Sequence, residues 1–178
     1  RFINSTIHSR ISFNNVRAIR SQFENTFFNI DSYWEGADLR YTRWNSSNIR
    51  GAWIRASDFT GSEFNGCGMR GMRAQGTNFQ DCRFDACNMR ETDLRAASFE
   101  DARLSNMNTE DVSMNDTKWT QTYLPGSVFN NVNICGAYTW DEAIFNDNGK
   151  QARLFNVKGP DCYLYFADRE DREDIVPI

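Results

Sequence analysis

The sequence is poor in the residues that do chemistry. It holds one histidine, His8, near its start. A Ser-His-Asp or Cys-His nucleophile would have to use that residue, and nothing around it supports such an arrangement. There is no G-x-x-x-x-G-K-S/T loop and no paired-histidine metal helix. No apolar run approaches the roughly 18 residues that a membrane span needs, and no basic-then-apolar segment opens the chain. The cysteines are five, Cys67, Cys82, Cys87, Cys135 and Cys162. An odd count without C-x-x-C spacing argues against a disulfide framework and a zinc site. A reducing, cytoplasmic compartment is the simpler expectation. No catalytic residue, metal ligand or cofactor is expected.

What is present is enough for one domain. The 178 residues can enclose a substantial core, and 40% hydrophobic with 25% charged residues reads as globular. The chain opens at Arg1, already inside patterned sequence, and reads as a piece of a longer protein. Charge is unevenly spread. Ala37 to Tyr138 holds 12 acids and 11 bases, whereas Asp161 to Asp174 holds six acids and two arginines. That end reads as a solvated tail or linker.

Internal repetition is the dominant signal. Counting in fives from Leu39 to Ile134 gives 20 positions, and 18 carry a large apolar side chain. Two residues before each lies a second register, mostly small: Ala37, Thr42, Ser47, Ala52 and onward. Its exceptions are compensated. Met72 precedes Ala74, and Met107 precedes Thr109, so volume is conserved as a packed interior requires. Eight of the 11 glycines fall two residues after a large position, which suits a corner with unusual dihedrals. Three of the four glycines in Gly66 to Gly76 obey this register, so that stretch is repeat and not a phosphate loop.

A period of five fits neither a helix nor a plain strand. It fits a step of two along an extended segment, then a step of three around a corner. Stretches such as ADLRYTRWNSSNIRGAWIRASDF and TNFQDCRFDACNMRETDLRAASF resemble the pentapeptide-repeat family. The resemblance runs without a gap from Ala37 to Ile134 and implies an all-β fold, a right-handed quadrilateral β-helix with four repeats per coil and a filled interior. Upstream, Phe13, Ala18, Phe23 and Phe28 keep the period one residue out of phase with Trp34, which predicts a single-residue bulge between 28 and 34. Residues 1–138 are thus assigned to the β-helix. Residues 139–178 are assigned to an irregular or helical C-terminal cap, with Trp140, Phe145, Leu154 and Phe155, and an acidic tail.

With four repeats per coil, residues 20 apart stack at about 4.8 Å. Asp38, Asp58, Asp81, Glu100 and Asp101 then form an acidic wall. Opposite it, Arg50, Arg70 and Arg90 form a basic ladder, with Arg55 and Arg95 on the next wall; this is a candidate site for anions or carboxylates. Tyr33, Trp53 and Arg73 fall in one outward column flanked by Arg55, and these residue types anchor protein interfaces. They are the candidate centre of a partner-binding or oligomer patch. Cys67 and Cys87 stack close enough for a disulfide, but parallel inward placement favours buried free thiols. Cys135, on an outward register, is expected to be the reactive one.

Two functions follow from the resemblance. One is a non-enzymatic protein-interaction module, such as the β-helix domain of a larger bacterial, effector-like protein, with a protein partner or a second copy. The other is a DNA mimic that binds and protects gyrase and dimerises through its cap. The near-neutral repeat region and its arginine columns weigh against the second. Direct nucleic-acid binding is not expected.

Overall fold

The alternating steps wind the chain into coils that pair with their successors. The computed structural model describes residues 1–178 apart from 9, 29–30, 148, 156, 161–163 and 166–178. One sheet contains six strands, Phe2–Ile3, Gln22–Glu24, Arg43–Asn45, Glu63–Asn65, Arg83–Asp85 and Arg103–Ser105, in that order and all parallel. Its central registers are Trp44↔Phe64, Phe64↔Phe84 and Phe84↔Leu104. The other walls are ladders of single parallel bridges: Asp38↔Asp58↔Asn78↔Ser98↔Lys118, Asn48↔Gly68↔Asn88↔Asn108, and Tyr33↔Trp53↔Arg73↔Asp93↔Ser113. The molecule is an all-β, four-walled parallel solenoid. Its walls are named below by the inward residues of one coil, Phe59, Phe64, Met69 and Ala74.

Both inward registers are sealed. Every residue of the two registers from Ala37 to Ile134 is at most 2% exposed, including Met72 beside Ala74 and Met107 beside Thr109. Rings stack coil on coil. Phe23–Trp44 and Phe64–Phe84 have centroids 3.7 and 4.7 Å apart with planes within 10°, and Phe79, Phe99 and Trp119 continue such a stack behind the Phe59 wall.

The small register does more than fill space. Its hydroxyls and thiols donate to the carbonyl of an inward residue in the preceding coil: Ser62 Oγ to Leu39 O (3.0 Å), Thr77 Oγ1 to Ile54 O (2.7 Å), Cys82 Sγ to Phe59 O (3.0 Å) and Thr122 Oγ1 to Phe99 O (2.7 Å). Three interior tryptophans each find an acceptor two residues earlier. Trp34, Trp44 and Trp119 donate Nε1–H to Ser32, Thr42 and Thr117 at 3.1, 2.9 and 2.6 Å. This satisfies an indole N–H that burial would otherwise leave unpaired.

Corners take the left-handed conformation. Every fifth residue from Gly36 to Gly136 has positive φ, whether glycine or, as at Tyr41, Glu91 and Gln121, a side-chain-bearing residue. At Gly61 (φ +69) a Cβ would also lie 2.6 Å from the Tyr41 ring, so here the absence of a side chain serves packing as well as conformation.

The first coils depart from the 20-residue repeat. Trp44 pairs with Phe23 and Asp38 with Arg17, each 21 apart. This matches one extra residue between 28 and 34, where residues 29–30 lie outside the described set. A second extra residue, unforeseen in the sequence, lies between Ile7 and Phe13, because Ile7 pairs with Phe28, also 21 apart. Both insertions fall at the same corner of successive coils, where Arg10 reaches Asp31 at 3.1 Å.

Coil pairing continues past Tyr138. Tyr123 bridges Ile144, Phe129 pairs with Leu154 and Asn133 bridges Lys158. The longer spacings accommodate a 3-10 turn at Trp140–Glu142 and an antiparallel hairpin of Asn146–Asp147 with Lys150–Gln151. Trp140 closes the core edge-on against Trp119 at 4.9 Å. Among the described residues, no helix is long and apolar enough to cross a membrane. The charged stretch after Tyr165 and Cys162 lie outside the described residues.

Cys67, Cys82 and Cys87 are buried free thiols, as inward placement requires. Burial pushes the Cys82 thiol far up; Cys87 is raised by its hydrogen bond with Cys67 and then by burial. Cys135 is not the free, reactive thiol expected of it: it is disulfide-bonded. The cysteine count therefore ceases to argue for a reducing compartment.

Candidate partner-binding surface

On the Ala74 wall the residue before each inward position faces outward, so the ladder Tyr33↔Trp53↔Arg73 places three large side chains in one column. The Tyr33 and Trp53 rings lie 5.4 Å apart, tilted by 48°. The Arg73 guanidinium sits 4.1 Å from the Trp53 ring centroid and that of Arg55 5.3 Å. Tyr33, Trp53, Arg55 and Arg73 are thus brought together on one wall. Trp53 is half-buried rather than open, because these neighbours cover part of it. Arg55 is further held by Gln75 at 3.1 Å and by Glu35 at 3.7 Å, whereas Arg73 has no ion pair among the described residues. Cation–π contacts of this kind contribute roughly 0.5–1 kcal/mol at an exposed site.

The basic ladder is largely occupied by the protein's own carboxylates. Arg70 bonds Glu91 in the next coil and Arg90 bonds Glu110 at 2.7 Å. Arg95 grips Asp93 with two bonds of 2.8 and 2.7 Å. Arg50 alone of the four has no ion pair among the described residues, since the corner position that supplies Glu91 to Arg70 is Gly71 one coil earlier. The Arg70 guanidinium holds Glu91 below the usual carboxylate range. At Asp93 burial pulls the other way, but hydrogen bonds from Arg95 and Gln75 leave its carboxyl lowered. The Nε atoms of Arg70 and Arg90 are sealed from solvent without an acceptor.

The acidic wall is similarly neutralised. Arg40 clasps Asp38 at 2.8 and 2.9 Å, holding its carboxyl below the ordinary range, and also approaches Asp58 at 3.7 Å. Lys118 pairs with Glu100. Asp81 and Asp101 remain as exposed corner residues with positive φ. Three exposed aromatics escaped the sequence reading, Phe27 (46%), Tyr41 (52%) and Tyr138 (61%). Tyr138 continues the outward ladder of the Phe59 wall, Phe27 that of the Met69 wall, and Tyr41 sits at a corner, so a search for outward aromatics beyond the Trp53 column would have found them.

A four-walled parallel solenoid with a side-chain-filled interior and no metal-binding group of His, Cys, Asp or Glu among the described residues defines a repeat scaffold. Residues 57–137 match the sequence profile described as a pentapeptide repeat region. Residues 57–137 are thus a pentapeptide-repeat region, set within a solenoid of the same coils. No curated relative matches its sequence. Among solved structures it is similar to a trypsin-treated form of QnrB1, a plasmid-mediated fluoroquinolone resistance protein. The two are 18% identical, with 87% of this chain and 89% of that one covered and a TM-score of 0.44. It is also similar to HetL of the cyanobacterium Nostoc sp. strain PCC 7120, a pentapeptide-repeat protein involved in heterocyst differentiation regulation, at 16% identity, 92% and 89% coverage and a TM-score of 0.33. A third is a pentapeptide-repeat protein from the Arabidopsis thaliana thylakoid lumen, at 19% identity, 64% and 68% coverage and a TM-score of 0.28.

Proposed function

We propose that this solenoid is a non-enzymatic protein-interaction module whose partner, another protein or a second copy of the chain, docks on the Tyr33–Trp53–Arg73 column beside Arg55. The observation that carries this reading is Trp53 itself. It is the tryptophan placed on an outward register of the repeat, and it is presented by arginines rather than sealed by apolar neighbours. Rigid walls built from stacked coils offer a partner a fixed template, as solenoids do. Tryptophan and arginine supply the largest contributions in typical interfaces.

The test is the double variant Trp53→Ala, Arg73→Ala, followed by thermal melting and by self-association in analytical ultracentrifugation or capture of a candidate partner. Loss of association with an unchanged melt supports the patch. Unchanged association defeats it, and a large fall in melting temperature alone assigns the column to wall stability. The competing DNA-mimic reading needs a continuous negative surface, because duplex DNA carries one charge per roughly 1.7 Å. Pairing of Asp38, Asp58 and Glu100 with Arg40 and Lys118 weighs against it. Protection of gyrase from a quinolone in a supercoiling assay would overturn that preference.

A further inference from the structure

Arginines also stack on the Phe64 wall, in a setting unlike the occupied ladder. In the column Arg43↔Glu63↔Arg83↔Arg103, Glu63 pairs with Arg43 at 3.3 Å. Arg83 and Arg103 therefore stand on adjacent strands with no acid between them. Neither makes an ion pair among the described residues. Arg103 is steadied from below, its Nε bonding Ser105 Oγ at 3.1 Å and its guanidinium lying 4.2 Å from the Tyr123 ring centroid. Its terminal nitrogens remain for another acceptor.

The two arginines border a cleft of about 500 Å³ whose lining also includes Asp85, Asn106, Pro125 and Lys150. Lys150 comes from the C-terminal hairpin, so a third cation is brought in by an element far along the chain. The one carboxylate among the described lining residues, Asp85, already accepts a hydrogen bond from Asn106 at 2.8 Å. Three cations against one carboxylate leave two net positive charges facing one space. A single carboxylate ligand would leave one of them unmatched, whereas a dianion matches both. A phosphoryl group carries close to two negative charges at neutral pH, with three strong acceptor oxygens. Paired guanidiniums suit such an acceptor through their planar donor forks.

We propose that Arg83, Arg103 and Lys150 form a binding site for a phosphoryl group, borne either by a free phosphate or by a phosphorylated residue of a partner. The site lies on a different wall from the Trp53 column and stands or falls separately from it. The test is a titration of the chain with inorganic phosphate in low-salt buffer, since exposed charges are screened, read by the arginine Nε–H signals in NMR. Saturable shifts at Arg83 and Arg103 are expected. Arg83→Gln or Arg103→Gln should weaken binding about tenfold, the loss of one charge-assisted hydrogen bond, with the melting temperature checked for each variant. Arg43→Gln, whose arginine is matched by Glu63, should leave binding unchanged. A phosphoserine peptide that binds more tightly than inorganic phosphate through the same residues identifies a phosphorylated partner as the source; the reverse order identifies the free anion. No saturable shift up to tens of millimolar phosphate, equal binding by the Arg83→Gln and Arg103→Gln variants, or equal binding of a glutamate-substituted peptide overturns the proposal.

Discussion

Three tryptophans on the inward registers of the repeat take a hydroxyl two residues before them as acceptor. The pairs Ser32–Trp34, Thr42–Trp44 and Thr117–Trp119 share one geometry, in which the small register supplies the acceptor for the indole N–H. Thr42 does double duty, since its hydroxyl also donates to Leu39 O at 2.8 Å. Thr42→Val removes both bonds and strands a buried indole donor, so the expected cost is about 2–3 kcal/mol in a denaturant titration. Thr77→Val removes only a hydroxyl donor to Ile54 O, and about 1 kcal/mol is expected. The pairing is visible in the sequence as S/T-x-W, but it acquires meaning only once the register is known. Trp53, preceded two positions earlier by Gly51, lacks it and is the one that faces outward.

At the scale of the coil, inward and outward positions divide the energetics. Phe84 stacks on Phe64 of the preceding coil at 4.7 Å and meets Phe79 edge-on at 5.4 Å. Phe84→Ala should destabilise by roughly 3–5 kcal/mol through lost transfer energy and a cavity. Gln80→Ala, at an outward position, should cost under about 0.5 kcal/mol. Asn78 is outward too, yet its side chain bonds Thr60 Oγ1 and the Gln80 N–H, each at 3.0 Å. About 1 kcal/mol is therefore expected for Asn78→Ala. The inward registers were legible because a period of five repeats over twenty positions. The insertion before Phe13 was not, because only Phe2 and Ile7 precede it and two positions cannot establish a phase. The ion pair of Arg70 was also invisible, because it runs diagonally to Glu91 in the next coil and depends on rotamers that a column map ignores. That of Arg90 was within reach of the map, since Glu110 stands 20 residues on in the same column.

Over much of the molecule charges of both signs are interleaved, and the Phe59 and Met69 walls largely neutralise themselves. Asp38, Glu91 and Asp93 all have lowered carboxyl values, set by Arg40, Arg70 and Arg95. A carboxylate lowered in the folded state stabilises the fold above its ordinary range, and that contribution is lost as pH falls through the lowered value. The urea midpoint should accordingly hold steady at neutral pH and decline once pH drops below about 4. Arg95→Gln should lower the urea midpoint slightly at neutral pH, as exposed pairs contribute little. The wild type and this variant should converge in strong acid, where Asp93 is protonated in both. A difference that persists there would show that Arg95 acts through packing instead.

The tryptophan pairs at the two ends of the rod also make it an optical object. Trp34 and Trp44 lie 5.8 Å apart with planes at 76°, and Trp119 and Trp140 lie 4.9 Å apart at 87°. Chromophores this close and this steeply crossed share their excitations, and the coupling gives paired bands of opposite sign in circular dichroism. Trp140→Phe should erase the contribution of the C-terminal pair and leave that of Trp34 and Trp44. Each end of the solenoid thus carries its own built-in spectroscopic label, and fraying from either end could be followed by light alone.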